Sequence, residues 1–221
     1  MIPARYSNYL YSRGLSDATI ETFGIGACDA SGRCTHPEYT PLIDFRFHDA
    51  VLFPIRNLYN QLIGVGSRSV DAKMYIHSAY SKRRHLFGLN VTYPEIFRTR
   101  KVFVVEGNFD LLTCYEHGIR NVVAMLGSKL SLEQLSLLIR FADEVVIASD
   151  GDQAGQDCAK KISTMLAENS IKYRQLSLPL GLDPDAYIRA HGADAFLGLQ
   201  SVDLIERVKL WGQAPYSSSQ S

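Results

Sequence analysis

Val102-Phe103-Val104-Val105-Glu106-Gly107 and Val145-Val146-Ile147-Ala148-Ser149-Asp150-Gly151-Asp152, with Asp150 44 residues after Glu106, each set an acidic group behind a short apolar run. Runs of that length, rich in β-branched residues, read as buried strands of a parallel sheet. Carboxylates at the carboxyl ends of such strands gather in the crevice where open α/β sheets bind their ligands. Glu106, Asp150 and Asp152 converging there call for something positive between them. A hard divalent cation, Mg²⁺ or Mn²⁺, is the economical choice.

Around these strands the pattern alternates strictly. A helix is expected from about 108 to 117, closed by Gly118, then a strand at 122–125 that ends at Gly127. Ser131 reads as the cap of a helix running to about Ala142, followed by the strand at 144–148 and a long helix from about Ala154 to Glu168. A fourth strand at about 172–178 precedes Leu182-Asp183-Pro184-Asp185, which opens onto a short helix. Alternation of this kind implies right-handed crossovers and a mostly parallel sheet. Asp110, one helical turn beyond Glu106, is placed to support the site from behind. Asp183 and Asp185 add a third acidic loop on the same sheet edge. A single Asp-x-Asp pair is an ordinary solvated loop feature, but three acidic sites on successive strand ends are not. Clustered carboxylates raise one another's pKa unless a cation is supplied. Two metals about 3.5–4 Å apart would suit an in-line displacement at phosphorus.

The first half reads differently. Two short helices are expected over residues 3–23, around the turn at Arg13-Gly14-Leu15, with a loop over 28–41. Val51 to Arg56 and Leu62 to Gly66 look like a hairpin, and Tyr75-Ile76-His77 like a further short strand. The 221 residues carry no net charge, yet the charge is unevenly divided. Residues 51–101 hold 9 basic groups against 2 acidic ones, while residues 102–221 hold 10 against 15. Six basic residues fall within 56–84, among them Arg56, Arg68, Lys73, Lys82 and Arg84. A basic module beside an acidic one suggests a polyanion-binding surface next to a metal site. Tyr75 and Tyr80 interleave with these charges and could stack on bases, whereas Phe87 reads as core. No apolar run approaches the roughly 18–20 residues of a membrane span, and the amino terminus lacks a signal peptide's apolar core, so a cytoplasmic protein is expected. Cys28, Cys34, Cys114 and Cys158 form no CxxC pair. Cys28 and Cys34 with His36 have an irregular spacing for zinc and want a fourth ligand.

At these residues the chain resembles a Toprim domain, and more closely the catalytic core of bacterial-type (DnaG-type) DNA primases. The similar pieces are Val105-Glu106-Gly107-Asn108-Phe109-Asp110, Ala124-Met125-Leu126-Gly127-Ser128, Asp150-Gly151-Asp152-Gln153-Ala154-Gly155 and Asp183-Pro184-Asp185. In the first half Arg13-Gly14-Leu15-Ser16, Phe23-Gly24-Ile25-Gly26, Leu52-Phe53-Pro54-Ile55-Arg56, Ile63-Gly64-Val65-Gly66-Ser67-Arg68 and Leu86-Phe87-Gly88-Leu89 are similar in the same order. The likeness covers about residues 5 to 200. It departs at Asn108, where the family usually has an aromatic residue, and at Lys73, which is displaced by one position.

The resemblance implies an α/β Toprim domain at 102–200, a smaller basic α+β subdomain at 1–101, and a C-terminal helix and tail at 201–221. It implies RNA primer synthesis from ribonucleoside triphosphates on a single-stranded DNA template. Glu106, Asp150 and Asp152 would be catalytic and would hold the metals with Asp183 and Asp185, while Arg56, Arg68, Lys73, Lys82 and Arg84 would meet nucleotide or template. The expected partners are a replicative helicase and a zinc-binding module, the chain being a core fragment or a minimal primase acting at the nucleoid or replication fork, of cellular, plasmid or viral origin. A Toprim nuclease and a non-catalytic single-strand-binding module are the alternatives. A topoisomerase would need a nucleophilic tyrosine on another domain.

Overall fold

A computed structural model describes residues 2–72, 74–127 and 129–202. Lys73, Ser128 and the expected C-terminal helix and tail beyond Val202 lie outside the described residues. The chain opens with α1 (Ala4–Ser12) and α2 (Asp17–Thr22), the latter capped by Ser16, whose side chain accepts from Thr19 N–H. Strands β1 (Gly26–Cys28), β2 (Ala50–Arg56), β3 (Leu62–Ser69) and β4 (Tyr75–His77) then form an antiparallel sheet in sequence order. The loop between β1 and β2 contains a 3₁₀ turn at Pro37–Leu42.

Helix α3 (Leu89–Thr99) leads into β5 (Lys101–Val105), α4 (Asn108–Glu116), β6 (Val122–Ala124), α5 (Leu132–Leu138), β7 (Glu144–Ile147), α6 (Gln153–Glu168) and β8 (Lys172–Leu176). Helices α7 (Pro184–His191) and α8 (Ala193–Leu197) precede β9 (Ser201–Val202). The second sheet has the order β6-β5-β7-β8-β9, parallel except for β9. This is the α/β arrangement expected, with a smaller α+β portion before it. Helix α3 was not among the expected elements, because Pro94 interrupts its period and Gly88 supplies no side-chain cap. Helix α5 stops at Leu138 rather than near Ala142, since the chain must turn there to let Asp143 N–H reach the Arg100 carbonyl at 2.7 Å.

Alternate side chains of the inner strands face two different cores, so β5 and β7 are apolar past their first residue. Phe103 and Val105 of β5, with Val146 of β7, face one core, and Val102, Val104, Val145 and Ile147 face another. The second core is closed by α3, α5 and α6 through Leu89, Ile96, Leu135, Leu138, Cys158 and Ile162. The first is closed by α4, α7, α8 and the whole N-terminal half: Leu10, Ile20, Val51, Phe53 and Ile55 pack with Leu111, Ile188 and Phe196. Each such side chain contributes about 1.5–3 kcal/mol when fully buried. Phe87, 1 % exposed, pairs its backbone with Ala124 and so ties the N-terminal half to the edge strand β6. No helix among the described residues is long and apolar enough to cross a membrane.

Candidate active site

Strand order decides where the acids meet. From β5 the chain moves outward to β6, then crosses back over β5 to form β7. The carboxyl ends of β5 and β7 therefore flank the point at which the connections reverse direction, the crevice where such sheets bind ligands. Glu106 follows β5 and Asp150 lies three residues beyond β7. The Asp150 N–H donates to Glu106 Oε1 at 3.4 Å, so the two expected residues do come together. Burial pushes the Glu106 carboxyl above its ordinary pKa; the Asp150 N–H pulls it back and the charge of Asp152 raises it further.

The remaining acids are held by helix starts. Asp152 caps α6, its Oδ1 accepting from Gly155 N–H at 2.8 Å, and Asp183 caps α7, its Oδ1 accepting from Ala186 N–H at 2.6 Å. Asp110, in the first turn of α4, accepts from Gly107 N–H at 2.9 Å and from Asp185 N–H at 3.2 Å, tying the first acidic motif to the third. Its carboxyl is raised well above the usual range by burial, then by the charges of Asp183 and Asp150. Asp185 is 1 % exposed and already paired with protein cations. Its Oδ2 meets Arg13, and its Oδ1 takes Arg189 Nε at 2.9 Å and the Thr113 hydroxyl at 2.7 Å. Arg13 and Arg189 were missed as site residues: Arg13 lies 172 positions from Asp185 and carries no local signal, whereas Arg189, four residues on in the same helix, carried one that went unread.

Two backbone features shape the crevice. A side chain at Gly151 would collide with the carbonyl oxygen of Pro179, and one at Gly155 with that of Asp150. The Asp150-Gly151-Asp152 loop is thus packed directly on the loop before α7, with Gly151 N–H donating to the Leu182 carbonyl at 2.8 Å. Leu126 has φ 58°, a conformation costly for a bulky residue, and is held there by donating its N–H to the Glu106 carbonyl at 3.0 Å.

The basic residues divide. Arg68 on β3 donates Nε to Tyr9 Oη at 2.7 Å, and its guanidinium stacks 4.6 Å from the Tyr75 ring centre. Burial raises the Tyr75 pKa, and the Arg68 charge offsets part of the rise. Lys82 and Arg84 are exposed on a 3₁₀ turn (Lys82–Arg84) whose carbonyls are pinned by the start of α5. Gln134 Nε2 donates to the Lys82 and His85 carbonyls at 3.0 and 2.8 Å, and Ser131 Oγ to that of Arg83 at 2.6 Å. Partial desolvation of its ammonium lowers the Lys82 pKa, and His77 is lowered to about 4 by burial and by Lys82, so His77 is neutral at pH 7. His77 and Asn108 both lie against Gly66, bringing β4 to the start of α4. Arg56 is engaged elsewhere, with Glu38 at 2.6 Å and the Asn60 carbonyl at 2.9 Å.

The donor chemistry suits a hard cation: the acids offer only carboxylate oxygens, and Glu106 and Asp110 carry a desolvation strain that positive charge would relieve. Among the described residues, however, no three His, Cys, Asp or Glu side chains already converge on one point. The carboxylates border the crevice with one oxygen of Asp152 and one of Asp183 committed to caps.

A family model described as Toprim-like matches residues 103–188. The DNA primase of Listeria monocytogenes is 31 % identical over 217 residues, which are 85 % of this chain and 34 % of that protein. The chain thus spans about a third of the length of the curated relatives it matches. A solved structure of the DnaG catalytic core superposes with a TM-score of 0.80 at 28 % identity, covering 97 % of this chain and 79 % of that one. A DnaG primase catalytic domain bound to single-stranded DNA gives 0.80 at 27 % identity, covering 96 % and 77 %.

Proposed function

Because this chain carries a Toprim domain of the DnaG primase type, we propose that it synthesises short RNA primers on single-stranded DNA by metal-dependent nucleotidyl transfer. The observation that carries the reading is the meeting of Glu106 with Asp150 at the reversal point of the parallel sheet, beside a hairpin bearing Arg68 and His77. Glu106, Asp150 and Asp152 would hold Mg²⁺ or Mn²⁺, with Asp183 at the margin. Bound metal would supply the positive charge that makes a primer 3′-hydroxyl a better nucleophile and offsets charge on departing pyrophosphate.

The chain's own residues do the positioning. Asp110 fixes α4 and α7 relative to each other and so holds the loops that carry Glu106 and Asp183. Asp185, clamped by Arg13 and Arg189, acts in this reading as the keystone of that junction rather than as a ligand. Lys82 and Arg84, exposed on a rigid turn, would meet the triphosphate or template phosphates as point charge and fork. Arg68 would do so with Tyr75 as a stacking surface. Lys73, outside the described residues, keeps its expected nucleotide-binding role as part of this proposal. Arg56, paired with Glu38, would contribute by bracing the β2–β3 hairpin. A zinc-binding module and a replicative helicase would complete the machine, the first guiding the choice of initiation sequence.

The test is incorporation of labelled ribonucleotides on a random single-stranded template with Mg²⁺ or Mn²⁺, run beside a nicking assay. Incorporation by wild type and its loss in Asp150→Asn is the expected result. Nicking without incorporation would replace the reading with a nuclease. Single-strand binding that survives Glu106→Gln and chelation, with no synthesis, would replace it with a non-catalytic module.

A further inference from the structure

The end of β1 and the loop that follows it hold two thiols in the pairing of a cross-strand disulfide. Thr35 N–H donates to the Ala27 carbonyl at 2.9 Å and Asp29 N–H to the Arg33 carbonyl at 3.0 Å, with Cys28 and Cys34 directly opposite between them. That pattern makes Cys28 and Cys34 a non-hydrogen-bonded antiparallel pair, in which Cα atoms lie about 4.5 Å apart and side chains approach most closely. The separation falls inside the roughly 4.4–6.8 Å that a disulfide spans. The sulfur atoms are 2.7 Å apart. The turn between them is prearranged: Asp29 Oδ1 accepts from Ser31 N–H at 2.9 Å, Ser31 Oγ at 2.6 Å and Arg33 N–H at 2.9 Å, and Gly32 takes φ 84°. The two sulfurs have only a short distance to close before they join.

We propose that Cys28 and Cys34 are a modification site, forming a reversible intrachain disulfide by exchange with a low-molecular-weight disulfide such as glutathione disulfide. The inference stands apart from the polymerase reading and does not depend on it. Cys34 is half-buried, whereas Cys28 is 0 % exposed and packs with Tyr39, Phe47, Leu52 and Val65. Cys34 is therefore the thiol that meets the reagent. Its thiolate attacks one sulfur of the reagent, expels one small thiolate and leaves a mixed disulfide on Cys34. The Cys28 thiol gives up its proton to solvent and attacks Cys34 Sγ, expelling the second small thiolate. Two protein thiols become one S–S bond, and the reagent disulfide is reduced to two thiols. Burial pushes the Cys28 thiol up to about 12, which makes this second step the slow one. Within the described residues β1 pairs along its length only with β2. The bond would fasten the free side of that edge strand to its own loop. Cys114 and Cys158 are buried in the two large cores and serve as internal controls.

Trypsin makes the test sharp, because it cuts after Arg33, inside the closed loop. The folded full chain is treated with glutathione disulfide, quenched with acid, blocked with a maleimide and digested. The expected product is peptide 14–33 joined to peptide 34–46, lighter by two hydrogen atoms than the pair and separating on reduction. Cys28→Ser is expected to stop at a stable glutathione adduct on Cys34, and Cys34→Ser to leave Cys28 unreacted. Glutathione adducts without the joined peptide in wild type would overturn the proposal. So would four thiols left free, or joined peptides that involve Cys114 or Cys158 to a similar extent. The wild-type digest decides the matter even if either variant folds poorly, which circular dichroism would reveal.

Discussion

Asp110 keeps its proton above the usual carboxylate range because it is buried and then because Asp183 and Asp150 lie nearby. Over that window the folded chain binds a proton that the unfolded chain has released, so this residue's contribution to stability falls as pH rises. The loss begins above the unfolded value of about 4 and is complete above the folded one. We expect Asp110→Asn to gain stability relative to wild type between about pH 4 and pH 7, on top of a constant cost for one lost acceptor. Urea midpoints of both proteins across that range in a chelating buffer would show it, and a pH-independent difference would sink it. Glu106 and Asp150 are the residues whose loss should touch chemistry alone. Glu106→Gln and Asp150→Asn are expected to reduce ribonucleotide incorporation at least about 10²-fold, the scale of losing one charge-stabilising group. Their circular dichroism should remain that of wild type. All of these acids were legible in the sequence, because each directly follows an apolar run or opens a helix. The pairing of Asp185 was legible only in part, because Arg189 stands four residues on in the same helix but Arg13 comes from the turn after α1.

Among the elements, the loop after β7 is the most demanding. The φ of Gly151 is not in the left-handed region, so its own conformation does not demand glycine. The requirement comes from its neighbour instead: the Pro179 carbonyl occupies the space a methyl group would need. Gly151→Ala is therefore expected to cost about 1–3 kcal/mol by overpacking and to displace Asp150 and Asp152 together. A lowered urea midpoint at unchanged slope, with incorporation reduced more than stability explains, is the expected outcome. Strand and helix alternation from β5 to α7 could be read from the chain because short continuous β-branched runs stand out between longer capped helical stretches. Helix α3 could not, because Pro94 hides the period and the tertiary packing of Leu89 and Ile96 supplies the stability that propensity lacks.

At the scale of the whole molecule, the N-terminal half and the parallel sheet share one core. Arg13, whose guanidinium lies 4.6 Å from the centre of the Phe109 ring, crosses from the first half to Asp185 in the second. Arg13→Ala leaves Asp185 with Arg189 and Thr113, so we expect a loss of about 1–3 kcal/mol rather than the larger cost of an unpaired buried charge. Thermal denaturation should register it, and an unchanged midpoint would remove Arg13 from the junction. Residues 102–202 expressed alone would expose Phe103, Phe109, Leu111 and Ile188 to water. Such a fragment is expected to lack cooperative unfolding, and a sharp calorimetric transition would contradict the shared core.

The sequence by itself determined that two acidic loops follow parallel strands, that a basic antiparallel portion precedes them, and which carboxylates stand at the strand ends. These are local matters of period, composition and adjacency. Only the tertiary structure decided which partners these acids take within the protein. It turned Asp152 and Asp183 into helix caps, locked Asp185 between two arginines and drew Arg56 away to Glu38. Pairings between residues far apart in the chain depend on how the sheet orders its strands, and no short stretch of sequence encodes that order.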